Sequence, residues 1–122
     1  MGNRFWRAAY YLWNFNSKKI SIILNQMDIQ NLNKEFENRI RLGIMSILIV
    51  NDWVVFNELK ELLNVSDGNL ASHIKGLEKA EYLEVKKEFI ARKPQTSYRI
   101  TQLGRQQFTR HIDQLEKIIK RI

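Results

Sequence analysis

Residues 57–105 read NELKELLNVSDGNLASHIKGLEKAEYLEVKKEFIARKPQTSYRITQLGR, and the order of patterns within them decides the fold. Asn57 can cap a two-turn helix whose inward residues are Leu59, Leu62 and Leu63, with Asn64 and Val65 as the turn behind it. Ser66 caps a second helix at once, and Asp67 stands against the positive end of its dipole. Leu70, Ile74 and Leu77, with Ala71 beside them, form the face of this helix that packs on its neighbours. At about 100° per residue, the opposite face carries Gly68, Asn69, Ser72, Lys75, Gly76 and Lys79, with His73 at its edge. The period then changes to two. Tyr82, Leu83, Val85, Phe89 and Ile90 belong to a strand on which Glu84, Lys86 and Glu88 point outward, and 91–95 turn the chain, with the tip at Lys93 and Pro94. Thr96, Tyr98 and Ile100 alternate with Ser97 and Arg99 on the return, and Thr101 caps a final helix.

On the N-terminal side, Asn33 can cap a helix starting at Lys34, with Phe36, Ile40, Gly43, Ile44, Ile47 and Leu48 on its buried stripe and Arg39 and Arg41 off it. Asn51 and Asp52 break that helix, and Trp53, Val54, Val55 and Phe56 suit a minimal strand. On the C-terminal side, the helix over 102–122 shows Phe108, Ile112, Leu115, Ile119 and Ile122 at alternating steps of four and three, a heptad seam. So small a domain offers this seam no obvious partner, so the economical reading is dimerisation with a second copy.

The chain has 122 residues, 44% hydrophobic and 27% charged, enough for one compact domain with appendages. Twenty Lys and Arg against thirteen Asp and Glu give a net charge of +7, distributed unevenly. Residues 1–27 hold Arg4, Arg7, Lys18 and Lys19 with no acid, and residues 86–110 set seven cations against Glu88 alone. Such asymmetry points to a polyanionic partner, nucleic acid or an anionic membrane surface. The absence of cysteine removes disulfides and thiolate metal sites and fits a reducing interior. No uninterrupted apolar run is long enough for a signal-peptide core or a membrane span, so the expectation is a soluble, cytoplasmic protein.

The helix pair joined by about three residues has the spacing of a helix-turn-helix, and the basic hairpin directly behind it completes the pattern. Three stretches carry a family resemblance: 62–70 continuing through 72–78 (SHIKGLE), Tyr82 with Leu83, and 92–101 (RKPQTSYRIT) with Gly104 and Arg105. On these residues the chain resembles the winged-helix transcriptional regulators of the MarR and ArsR type, most closely the small MarR-like bacterial group. The likeness runs over roughly residues 33–119. It implies that the helix over 66–80 is a recognition helix and that Arg92 and Lys93 belong to the wing. The family commonly has Gly where this chain has Glu81. Either Glu81 accepts a left-handed conformation or the helix ends differently.

The expected fold class is therefore mainly α with a small β-hairpin (α+β), a winged helix-turn-helix with N- and C-terminal helices for dimerisation. Residues 1–32 form an aromatic, basic helical extension, 33–101 the DNA-binding domain and 102–122 the dimerisation helix. The expected function is sequence-specific binding of double-stranded DNA by a homodimeric transcriptional regulator, with the recognition helix in the major groove and the wing, 86–99, on the backbone or minor groove. Candidate DNA-binding residues are Ser66, Gly68, Asn69, Ser72, His73, Lys75, Lys79, Lys87, Arg92 and Lys93. Asn69, Ser72 and His73 probe base edges, Lys75 and Lys79 hold phosphates, and the backbone near 66–68 offers N–H groups to a phosphate. The competing class is a protein-docking module, since fold alone does not fix function. For the aromatic stretch before Asn33, packing into the dimer interface stands beside contact with an unidentified small-molecule effector or with a membrane. His73 and His111 stand on different helices without a cysteine, and no nucleophile-and-base pair, phosphate loop or carboxylate pair stands out. The reading is a non-enzyme without metal or cofactor.

Overall fold

The computed structural model describes residues 31–121 and, ahead of them, Arg7; most of the expected 1–32 extension and Ile122 lie outside the described residues. The chain divides into a unit of Asn33–His111 and a second unit of residues 1–32 with 112–122.

The helix expected from Lys34 is broken near its start. Asn33 caps a 3-10 turn, Lys34–Phe36, by accepting from the Glu35 N–H, and helix α1 begins only at Arg39, spanning Arg39–Ile49. The interruption comes from Asn38, which is extended and accepts from the Ile40 and Arg41 N–H groups. An Asn side chain that bonds nearby backbone N–H groups competes with helix continuation, and here it caps a new helix. Strand β1, Val54–Val55, runs straight into helix α2, Phe56–Leu63, so that extended Val55 rather than Asn57 precedes the helix, without a side-chain cap. Leu59 is buried and Leu63 half-buried, but Leu62, expected inward, is 61% exposed. Asn64 ends α2 in the left-handed conformation, which Asn tolerates, and Ser66 caps helix α3, Asp67–Lys79, by accepting from the Asn69 N–H at 3.3 Å.

α3 closes with a Schellman arrangement. The Tyr82 N–H donates to the Leu77 carbonyl at 3.0 Å and the Glu81 N–H to the Glu78 carbonyl at 2.9 Å, with Glu81 left-handed at φ 66°. Of the two endings open to the sequence, the left-handed one is adopted without a glycine. Strands β2, Leu83–Ile90, and β3, Lys93–Ile100, pair antiparallel from Leu83↔Ile100 to Ile90↔Lys93, and β1 joins the other edge of β3 through Val54↔Tyr98 and Val55↔Ser97. The sheet order is thus β1-β3-β2. With the four α-helices among the described residues, this is an α+β architecture, as expected.

The hairpin tip lies at Ala91 and Arg92, both left-handed at φ 51° and 65°, rather than at Lys93 and Pro94, which belong to β3. Two consecutive left-handed residues define a type I′ turn, whose twist matches that of the flanking strands. Ile90↔Lys93 closes the turn as a hydrogen-bonded pair, so Phe89↔Pro94 is the next, non-bonded pair, and the missing N–H of Pro94 lies on the β1 edge of β3, beyond the two residues that β1 pairs. Only the base of the hairpin is covered by helices. Leu83, Tyr98 and Ile100 are buried there, whereas Val85 and Phe89, on the same face as Leu83, are exposed by 36% and 79%, and Ile90, on the other face, by 48%.

Helix α4, Gln102–Arg121, starts behind Thr101, whose hydroxyl accepts from the Gly104 N–H at 2.9 Å and donates to the Glu81 carbonyl at 2.8 Å. A Cβ on Gly104 would collide with the Tyr82 carbonyl, so this glycine lets α4 lie directly against the chain that leaves α3. The core joins Ile44, Met45 and Leu48 of α1 to Leu59, Leu70, Ile74, Leu77 and the strand residues. Phe36 stands 5.3 Å from both Tyr82 and Phe108 and 5.4 Å from the His111 ring. His111 is 4% exposed, and its Nδ1 accepts from the Asn33 N–H at 3.1 Å. Burial, partly offset by Glu37, holds its pKa below the ordinary value.

Two outcomes are expected. Glu81→Gly relieves a left-handed non-glycine residue and keeps the Thr101 bond, which goes to the backbone; it should raise stability in urea unfolding by about 0.5–1 kcal/mol after the extra freedom of the unfolded chain is subtracted. Because the folded chain binds a proton at His111 less readily than the unfolded chain, the contribution of this residue is full above the unfolded pKa of about 6.5 and declines as pH falls below it. Unfolding curves at pH 7.5 and 5.5 should show that loss, and a His111→Gln variant should show less of it.

Candidate nucleic-acid interface

Burial of Leu70, Ile74 and Leu77 turns the other side of α3 to solvent. Ser66, Gly68, Asn69, Ser72, Lys75 and Lys79 are all exposed, as expected; Ala71, placed with the buried face in the sequence, is exposed with them. This surface has no large side chain near its middle, so the helix backbone can approach a partner closely while an amide, a hydroxyl and two ammonium groups remain available. Ser66 Oγ accepts the Asn69 N–H, leaving the N–H groups of Asp67 and Gly68 at the open, positive end of the helix.

His73 and Gly76 depart from the expected open face, since both are half-buried. The cause is Arg41 of α1. Its Nε donates to His73 Nδ1 at 3.1 Å, its guanidinium pairs with Glu35, and a Cβ on Gly76 would lie within 2.8 Å of its Cζ. Partial burial, and then the Arg41 charge, hold the His73 pKa below its ordinary value. The sequence placed Arg41 off the buried stripe without a partner, and the residues it meets on α3 stand more than thirty positions away.

The hairpin cations separate into two groups. Lys86 and Arg99 both stand over the Trp53 ring, at 4.4 Å and 4.5 Å from its centroid. Arg99 also pairs with Glu84 at 2.6 Å and with Asp52 at 3.8 Å, and Lys86 with Glu88 at 3.4 Å. These charges are committed within the protein. Lys87, Arg92 and Lys93 are exposed and make no ion pair among the described residues, nor do Lys75 and Lys79 on α3. Lys87 shares the sheet face of Leu83 and Val85, the face turned to the helices, but stands farther out than they reach. Arg92 occupies the tip itself. A cleft of about 450 Å³ separates this hairpin from the start of α2, with Phe56 and Asn57 on one wall and Ile90, Lys93 and Pro94 on the other.

Along α4, Phe108, the first residue of the expected seam, is only 4% exposed and fills the core beside Phe36, so it belongs to the domain interior. In the second unit Ile112 and Ile119 are 39% and 73% exposed and Leu115 is half-buried. No helix among the described residues is long and apolar enough to cross a membrane.

Residues 40–119 match the winged helix DNA-binding domain family. Over 89 residues the chain is 37% identical to an uncharacterized protein of Methanocaldococcus jannaschii, covering 73% of this chain and 97% of the relative. The structure is similar to that of a transcriptional regulator homologue from Pyrococcus horikoshii, with a TM-score of 0.70 at 30% identity over 80% of this chain and 94% of the other. It shares its fold with a putative transcriptional regulator of Salmonella typhimurium, with a TM-score of 0.60 at 23% identity, over 71% of this chain and 77% of that one.

Proposed function

Because the chain belongs to the winged helix DNA-binding domain family, we propose that it is a transcriptional regulator that binds double-stranded DNA in a sequence-specific manner as a homodimer. The observation that carries this reading is the placement of uncommitted charge. Lys75 and Lys79 flank the open face of α3, and Lys87, Arg92 and Lys93 stand on the hairpin, while the neighbouring cations Lys86 and Arg99 are consumed by Trp53 and acids. Free cations in two groups around a small, polar helix face suit a duplex, whose phosphates flank the base edges of the major groove.

In this reading α3 enters the major groove. Asn69 and Ser72 reach base edges, His73 joins them from the side of the helix nearer α1, and Lys75 and Lys79 hold phosphates. The N–H groups at 66–68 receive a phosphate at the positive end of the helix. The hairpin, with Lys87, Arg92 and Lys93, lies along the backbone or in the adjacent minor groove. Dimerisation runs through Ile112, Leu115, Ile119 and Ile122; Phe108 is left out because the core already uses it. A two-fold dimer sets two recognition helices about one helical turn apart and calls for an inverted-repeat site.

Replacing both Arg92 and Lys93 with Ala should flatten the plot of log affinity against log salt by about two units if each neutralises one phosphate. An unchanged slope in a titrated gel shift removes the hairpin from the interface, and absence of salt-dependent binding by the wild type favours a docking module. In sedimentation of the full chain, Ile119→Lys should convert a dimer into a monomer; a wild-type monomer at all concentrations defeats the dimer reading.

A further inference from the structure

His73 and Arg41 form a contact that bears on what the recognition surface can read. Arginine has only donors, so the Nε–H of Arg41 at 3.1 Å from His73 Nδ1 requires a lone pair on that nitrogen. The imidazole is neutral near pH 7, because partial burial and the nearby guanidinium both oppose its protonation. A neutral ring with an unprotonated Nδ1 carries its proton on Nε2, which makes no hydrogen bond among the described residues. Arg41 is itself held on its far side by Glu35, and it can sit against α3 only because residue 76 is a glycine.

We infer that Arg41 is a positioning residue that fixes His73 as the Nε2–H tautomer, so that α3 presents a hydrogen-bond donor there and reads an acceptor on a base edge: purine N7, guanine O6 or thymine O4. The inference rests on the DNA-binding reading above. In the major groove, adenine N6 and cytosine N4 are donors, and an Nε2–H cannot pair with them. An unrestrained histidine offers either a donor or an acceptor at this edge and discriminates less. Arg41 therefore acts on specificity without touching the DNA.

Long-range ¹⁵N–¹H correlation spectra at pH 7.5, with His73 assigned through His73→Ala, report the tautomer of the wild-type protein directly. The expected pattern is a protonated Nε2 and a bare Nδ1; an Nδ1–H tautomer or an even mixture overturns the inference. Arg41→Met should shift the ring to a mixture, and Gly76→Ala, whose methyl group displaces the guanidinium, provides the same release if Arg41→Met does not fold. In selection from a random duplex pool, the Arg41 variant should lose about tenfold of preference at the same base-pair position that His73→Ala relaxes, with the salt slope unchanged. Relaxation at another position, or a slope lowered by about one unit, would make Arg41 a DNA contact in its own right and overturn the positioning role. A wild-type protein that binds no duplex removes the base-edge reading, while its spectrum still decides whether Arg41 sets the tautomer.

Discussion

Burial of three side chains on one face of a thirteen-residue helix sets everything that follows: Leu70 and Leu77 at 0% and Ile74 at 2% exposure determine which way α3 faces. Each is worth about 2 kcal/mol when taken fully out of water. Rotating the helix by one residue, about 100°, would exchange that stripe for Ala71, Lys75 and Glu78, adding the cost of burying unpartnered charged groups. The apolar stripe thus leaves a single low-energy orientation, and the solvent face with Asn69, Ser72, Lys75 and Lys79 follows from it. The solvent face of α3 is the remainder after the core has been satisfied, and so the sequence alone can reveal it.

The hairpin obeys a different constraint. β3 is paired on both edges at its base, through Val54 and Val55 on one side and β2 on the other, and on one edge only toward the tip. Trp53, in contact with both Lys86 and Arg99, adds a cross-strand platform where the hairpin leaves the body of the domain. Single exposed ion pairs contribute little to stability, but one aromatic ring met by two cations, with Arg99 also bonded to Glu84, restricts several side chains at once. The base is stiffened by the charges that a sequence count assigns to DNA, and fewer cations are left at the tip than the composition suggests.

What the sequence disclosed was local. Ser66 and Thr101 were readable as caps because a hydroxyl at the right offset from a helical stripe bonds the backbone within three residues. Leu70, Ile74 and Leu77 were readable because helical periodicity needs no knowledge of the partner. The helix–helix–hairpin order and the open face of α3 followed from these. What stayed hidden depends on the third dimension or on turns without their usual residues. Val85 and Phe89 continue the alternation that starts at buried Leu83, but alternation cannot tell how far the helices extend along the sheet. Pro94 drew the turn toward itself, because the true tip, Ala91 with Arg92, has neither Gly nor Asn. The apolar stripe runs on through Asn38 and hides it as a cap, and the contact of Arg41 with His73 exists only once folding brings α1 across α3.

The tip shows how such a departure is tolerated. A type I′ turn favours Asn-Gly, and holding Ala and Arg left-handed instead costs about 1–2 kcal/mol per residue. An isolated two-residue connection would relax to another geometry. Here the strands meet in eight consecutive pairs behind the turn, and a slip of one residue would move Leu83, Tyr98 and Ile100 out of the core. The ladder and the core fix the register, and the turn accepts the conformation that closes it. Glycine in place of Arg92 would close it with less strain but would remove the exposed cationic side chain of the turn. The strained residue is also the uncommitted cation at the tip, and backbone strain retained at such a position is what a contact made by that side chain would maintain.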